Sequence, residues 1–140
     1  MRPEWRRAAL IVLGVLFARG SGVTTETLAA PRAVPVVAEG DRAIGAFAME
    51  SLTFATPAAG GHDLRVDWGA AENDVDLYLV AGDCPPGPLA AGACPRLAFS
   101  ESPSAKPERL AVELPAGVYT LGVLSQNPRP EHLRWRVTTR

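Results

Sequence analysis

Asp74 and Asp76 are the polar pair in this chain best placed to hold an ion. In ENDVDLYLV, Asn73 directly precedes Asp74, and Glu72 stands one position earlier. Residues two apart on an extended strand project to the same face, so the two carboxylates and the Asn73 amide present clustered oxygens. Oxygen ligands grouped this way suit Ca²⁺, which takes roughly six to eight of them. The competing reading has Asp74 capping a turn while Asp76 faces water or pairs with an arginine. Tyr78 shares the face of Asp76, and an aromatic side chain beside a carboxylate makes a contact patch for sugars or peptide backbone. Its alternative role is to cover a neighbouring strand.

Residues suited to covalent chemistry are scattered. His62 sits in a Gly-Gly-His-Asp turn and His132 follows Pro130-Glu131; neither belongs to a metal-ligating HExxH spacing. No GxSxG elbow is present, and Ser100, Ser102 and Ser104 lie in SESPSAKP, a loop composition. Nothing selects a Ser/His/Asp set, so the chain reads as a non-enzyme. Cys84 and Cys94 are its two cysteines, bracketing the Pro- and Gly-rich segment CPPGPLAAGAC. That composition excludes helix and central strand on local grounds. In an oxidising compartment the pair closes into a disulfide worth about 3 kcal/mol. A metal site is the competing reading, and without a nearby His it is a poor zinc set.

The elements that would position these residues are short strands. LTF in ESLTFAT places Leu52 and Phe54 on one face. HDLRVDWG sends Leu64, Val66 and Trp68 one way and Arg65 and Asp67 the other. Val75, Leu77 and Leu79 alternate in DVDLYLV, Leu97 and Phe99 in RLAFS, and Leu110, Val112 and Leu114 in RLAVEL. Tyr119, Leu121 and Val123 follow the Pro115-Ala116-Gly117 turn, and Leu133, Trp135 and Val137 alternate in the last run. Period-two alternation between turn signals, with one wet face per strand, predicts an antiparallel sandwich. No segment after residue 22 shows sustained helical spacing.

Arg2, Arg6 and Arg7 precede the apolar run Ala8 to Ala18, and Gly20, Ser21 and Gly22 follow it. A positive start, a short apolar core and a small-residue exit read as a signal peptide over residues 1–22. The run is well short of the roughly 20 residues needed to span a bilayer as a helix, so no membrane anchor is expected after cleavage. Residues 23–38, rich in Thr, Ala and Pro, read as a linker or leader, and residues 39–140 as one domain. Four of the 14 basic residues fall in the first 22 positions. The remainder is mildly acidic, which gives no reason to expect nucleic acid as a partner.

Three stretches together resemble the pre-peptidase C-terminal family. They are Gly61-x-x-Leu64-x-Val66-x-Trp68 running on to Asn73-Asp74-Val75-Asp76-Leu77-Tyr78-Leu79; Glu108-x-Leu110 running into Leu114-Pro115-Ala116-Gly117-Val118-Tyr119-Thr120-Leu121-x-Val123; and Gly40 to Gly45 with Leu52-x-Phe54. The resemblance covers about Ala38 to Val137. It implies an all-β, antiparallel, jelly-roll-like β-sandwich of about eight strands, secreted or periplasmic, in an accessory role similar to the collagen-binding domains of clostridial collagenases. Some relatives bind calcium with acids near Asp74 and Asp76 plus acids from the preceding segment. Here that segment offers Glu39 and Asp41 and lacks the family's acidic-Pro-Asn lead-in.

The expected function is therefore a secreted, non-catalytic binding domain for an extracellular protein or polysaccharide, or an accessory to a secreted peptidase in trans. The alternative is a structural or export-related envelope protein with no soluble ligand.

Overall fold

The computed structural model describes residues 33–103 and 105–140. The expected signal peptide and most of the expected linker lie outside the described residues. Eight strands form: β1 (Val36–Ile44), β2 (Met49–Thr56), β3 (Gly60–Trp68), β4 (Val75–Ala81), β5 (Arg96–Ser100), β6 (Glu108–Leu114), β7 (Gly117–Ser125) and β8 (Glu131–Thr139). They make two four-stranded sheets, β1-β8-β3-β6 and β2-β7-β4-β5, with every pairing antiparallel. The chain is thus an all-β sandwich. Nearly every connection crosses from one sheet to the other. Only β4 and β5 follow one another within a sheet, and the cysteine-bracketed loop joins them.

Alternation explains the core. Leu52 and Phe54 of β2, Leu64, Val66 and Trp68 of β3, and Val75, Leu77 and Leu79 of β4 all point between the sheets. Leu110 and Leu114 of β6, Tyr119, Leu121 and Val123 of β7, and Leu133 and Val137 of β8 meet them there. The Phe54 and Tyr119 rings stack at 5.8 Å between centroids, and the Tyr119 hydroxyl donates to the Pro115 carbonyl at 2.8 Å. An aromatic body in the dry layer with its hydroxyl satisfied at the turn is a favourable way to bury tyrosine.

Several sequence expectations change. Strand β1 begins at Val36, so Val36, Val37 and Ala38 belong to the sheet and not to the linker. His62, expected in a turn, continues the inward row of β3, buried, with Nδ1 at 2.8 Å from the Gly60 carbonyl. Leu97 and Phe99 do not face the core: they are 52% and 59% exposed. β5 is an edge strand with β4 as its sole neighbour, and its inward positions are taken by Ala98 and by Ser100, which donates to Glu108. A bulge at Leu79/Val80 shifts the register there. Finally, the cysteine loop does contain a one-turn helix, α1 (Pro86–Ala90). Proline is tolerated in the first turn, where the missing N–H has no intrahelical partner to lose.

Candidate functional site

The loop between β4 and β5 folds back over the outer face of sheet β2-β7-β4-β5. Four contacts pin it. Thr120 of β7, fully buried, accepts from the Cys84 N–H at 2.9 Å and donates to the Gly82 carbonyl at 2.7 Å. Ser51 of β2 donates to the Cys84 carbonyl at 2.7 Å, and Thr53 donates to Asp83 at 3.0 Å. The Cys84–Cys94 disulfide closes the loop. Leu89 of α1 drops onto Gly122 of β7, where a Cβ would lie 2.5 Å from a Leu89 methyl. Glycine at 122 is what lets the loop sit this low. Val80, Cys84 and Leu89 form a second, small apolar cluster there, flanked by Met49 and Cys94.

Beside this loop the sheet surface opens into a cleft of about 210 Å³. Met49, Tyr78 and Leu124 form its floor, Leu89 and Cys94 one wall, and Arg96 and Glu101 the opposite rim. The Tyr78 hydroxyl donates to Glu101 Oε1 at 2.8 Å, and the Arg96 guanidinium lies 5.0 Å from the ring centroid. Burial pushes the Tyr78 phenol well above its ordinary value, and the hydrogen bond to Glu101 and the charge of Asp76 add to the shift. The hydroxyl therefore stays a neutral donor across the physiological range. Register puts Phe99 of β5 directly opposite Tyr78. The result is an aromatic ledge, half buried at Tyr78 and open at Phe99, edged by one cation and one carboxylate. Such a surface holds ligands by apolar contact and a few fixed polar groups.

No family model matches the chain, and no curated protein matches it at a significant level. Solved structures do. The pre-peptidase C-terminal domain of collagenase from Bacillus anthracis superposes with a TM-score of 0.54 at 14% identity, over 73% of this chain and 89% of that domain. The fold is that of a pre-peptidase C-terminal domain. The same sandwich occurs in the Yersinia pseudotuberculosis-derived mitogen, with a TM-score of 0.54, 10% identity, and coverage of 77% of this chain and 88% of that one. At these identities the likeness is one of architecture.

Within this pre-peptidase C-terminal fold, the residues expected to bind calcium are largely engaged elsewhere. Asp74 precedes β4 and works through its backbone: its N–H donates to Asn127 Oδ1 at 2.7 Å and its carbonyl accepts from Gln126 N at 3.0 Å. Asp76 is buried, neither facing water nor paired with arginine, and accepts from Gln126 Nε2 at 2.8 Å. Its burial raises the carboxyl's pKa, and the charges of Asp74 and Glu101 push the same way, against the Gln126 hydrogen bond. The Asn73 side chain donates to Glu131. Among the described residues no group of three His, Cys, Asp or Glu side chains stands close enough to hold a metal ion. Asp74 Oδ1 is buried without a partner, but one carboxylate oxygen is far from the six or more ligands calcium needs. The set does not fit the ion.

Tyr78 and Cys94 are thus the sequence candidates that meet at one site. Sequence reading missed Ser51, Thr120 and Gly122, the floor residues that seat the loop. Thr53 and Thr120, opposite one another on adjacent strands, gave a signal only in being polar positions on an otherwise unassigned face.

Proposed function

We propose that this chain is a secreted, non-catalytic binding domain that holds an extracellular protein or polysaccharide in the Tyr78 cleft. The observation that carries this reading is the aromatic ledge of Tyr78 and Phe99 with its fixed Arg96 and Glu101 rim, beside a disulfide-braced wall. Preorganisation of that kind lowers the entropy lost on binding. Phe99, on an edge strand and largely exposed, offers apolar surface to a partner. The intrachain disulfide supports an oxidising destination.

The test is retention of the mature domain on collagen, gelatin and insoluble glycans, compared with Phe99→Ala and Arg96→Ala. Capture by one of these materials, weakened about tenfold or more by Phe99→Ala, supports the reading, since an anchor residue is worth at least about 1.4 kcal/mol. Failure on every material, or capture indifferent to both substitutions, removes the cleft from consideration. Fractionation of the producing cell for the disulfide-bonded form tests export.

A further inference from the structure

The other sheet carries charge on its outer face in an order that register imposes. Arg136 of β8 stands opposite Arg65 of β3, and Arg65 stands opposite Arg109 of β6. Three arginines therefore line up across three neighbouring strands spaced about 4.8 Å apart. Like charges directly opposite one another are unfavourable in a sheet, and nothing in the packing of this face requires them. In the next row Arg134 stands between Asp41 of β1 and Asp67 of β3.

At one end of this face Asp63 and Glu113 both engage Arg140; around the arginine row, Glu39, Asp41 and Asp67 stand against Arg65, Arg109, Arg134, Arg136 and Lys106. Glu39 Oε2 takes two nitrogens of Arg136, each at 2.9 Å. Asp67 is shared, one oxygen at 3.1 Å from Arg65 and the other at 3.0 Å from Lys106. Burial pulls the Asp67 carboxyl upward, but the hydrogen bonds from Lys106, Arg65 and the Trp68 N–H outweigh it and hold the group ionised. Asp41 only approaches Arg134, at 3.8 Å, and Arg134 remains 84% exposed. Arg109 has no ion pair among the described residues. Two adjoining hollows of about 500 and 240 Å³ lie over this face and share Asp41, Asp67 and Arg134; Arg65 and Arg136 line the larger, Lys106 the smaller, and Arg109 stands outside both, next to Arg65 in the sheet.

We propose that this groove binds an acidic polysaccharide, seating a carboxylate or sulfate ester on Arg65 and Arg134, with Arg109 beside Arg65 at the groove's margin. Guanidinium forks match both anions in bidentate geometry. Asp41 and the free oxygen of Glu39 accept from sugar hydroxyls, a use that a bare polyphosphate would not make of them. A single-stranded nucleic acid would need exposed rings to stack on, and neither aromatic lining the hollows is free: Trp68 is buried with Lys106 over its ring, and Trp135 is partly buried against the core. A flat anionic surface would meet the acidic remainder of the domain, whereas a single glycan strand lying in the groove touches the groove alone. The site is on the opposite sheet from the Tyr78 cleft and does not depend on it.

The experiment is affinity electrophoresis and resin retention of the mature domain on heparin, on polygalacturonate and on neutral dextran, with a single-stranded oligonucleotide as a fourth probe. Arg65→Gln and Arg109→Gln are compared with Arg42→Gln, a control at the sandwich edge, and with Phe99→Ala. The expected result is retention on an acidic glycan and not on dextran, falling with salt, about fivefold to tenfold weaker in Arg65→Gln and Arg109→Gln and within twofold of the parent in Arg42→Gln and Phe99→Ala. Melting curves of the variants should overlay the parent, since surface pairs contribute little to stability. No retention on either acidic glycan overturns the proposal. So do equal losses in Arg42→Gln and Arg65→Gln, equal binding of dextran or oligonucleotide, or loss in Phe99→Ala.

Discussion

The seat of Leu89 on Gly122 is open to a quantitative test through Gly122→Ala. The added Cβ would lie 2.5 Å from Leu89 Cδ2 and 3.2 Å from Cγ. A methyl group can swing aside, but moving Cγ means lifting α1, which Thr120, Ser51 and the disulfide hold down. Overpacking of this kind costs about 1–3 kcal/mol, against which alanine in a strand regains roughly 0.5–1 kcal/mol over glycine. The net expectation is a loss of up to about 2.5 kcal/mol, centred near about 1 kcal/mol. For a domain of this size each kcal/mol moves Tm by about 4–8 °C, so a drop of several degrees is readable by calorimetry. The decisive measurement is the double-mutant cycle with Leu89→Ala. With the side chain gone, the clash is gone, and Gly122→Ala should become neutral or stabilising by up to about 1 kcal/mol. If Gly122→Ala costs the same in both backgrounds, Leu89 does not occupy that notch and the account of the cleft wall fails.

Three more outcomes follow from the same geometry. Thr120→Val keeps the side-chain shape but strands the buried Cys84 N–H, and urea unfolding should show a loss of about 1–3 kcal/mol. Reducing Cys84–Cys94 should lower stability by about 2–3 kcal/mol, and thiol titration of the unreduced, denatured chain should find no free thiol. Asp76 has a raised carboxyl pKa in the folded state, first from burial, then from Asp74 and Glu101. Its contribution to stability is fully present below about pH 4, the unfolded carboxylate range, and is lost as pH rises through the raised value. Asp76→Asn should therefore melt higher than the parent at pH 7, with the gap closing towards pH 4, and CaCl₂ against EGTA should leave the parent's melting temperature unchanged.

Much of the sandwich could be read from alternation. Leu64, Val66 and Trp68, or Tyr119, Leu121 and Val123, announce a dry face because each row meets one partner layer. What alternation cannot report is what lies over the other face. Strand β4 is buried on both sides: Leu77 and Leu79 inward, Val80 outward beneath the returning loop, and Asp76 outward against Gln126. Hence Asp76 looked wet and is not. Leu97 and Phe99 looked dry and are not, because edge position is a property of sheet order, which residues 96–100 do not encode locally. The anchors Ser51 and Thr120 lie more than thirty residues from the Cys84 backbone they hold. Their role arises only once β2 and β7 are side by side.

Strand order also governs when the domain can come together. Strand β8, the most C-terminal of the described strands, lies between β1 and β3, hydrogen-bonded to both. A nascent or partly threaded polypeptide lacking residues 131–139 has no bridge between its first strand and its third, and half of the sandwich stays unclosed. Emergence of residues 131–139 is thus needed before this sheet can close, and deleting them should cost the whole architecture and not one strand alone.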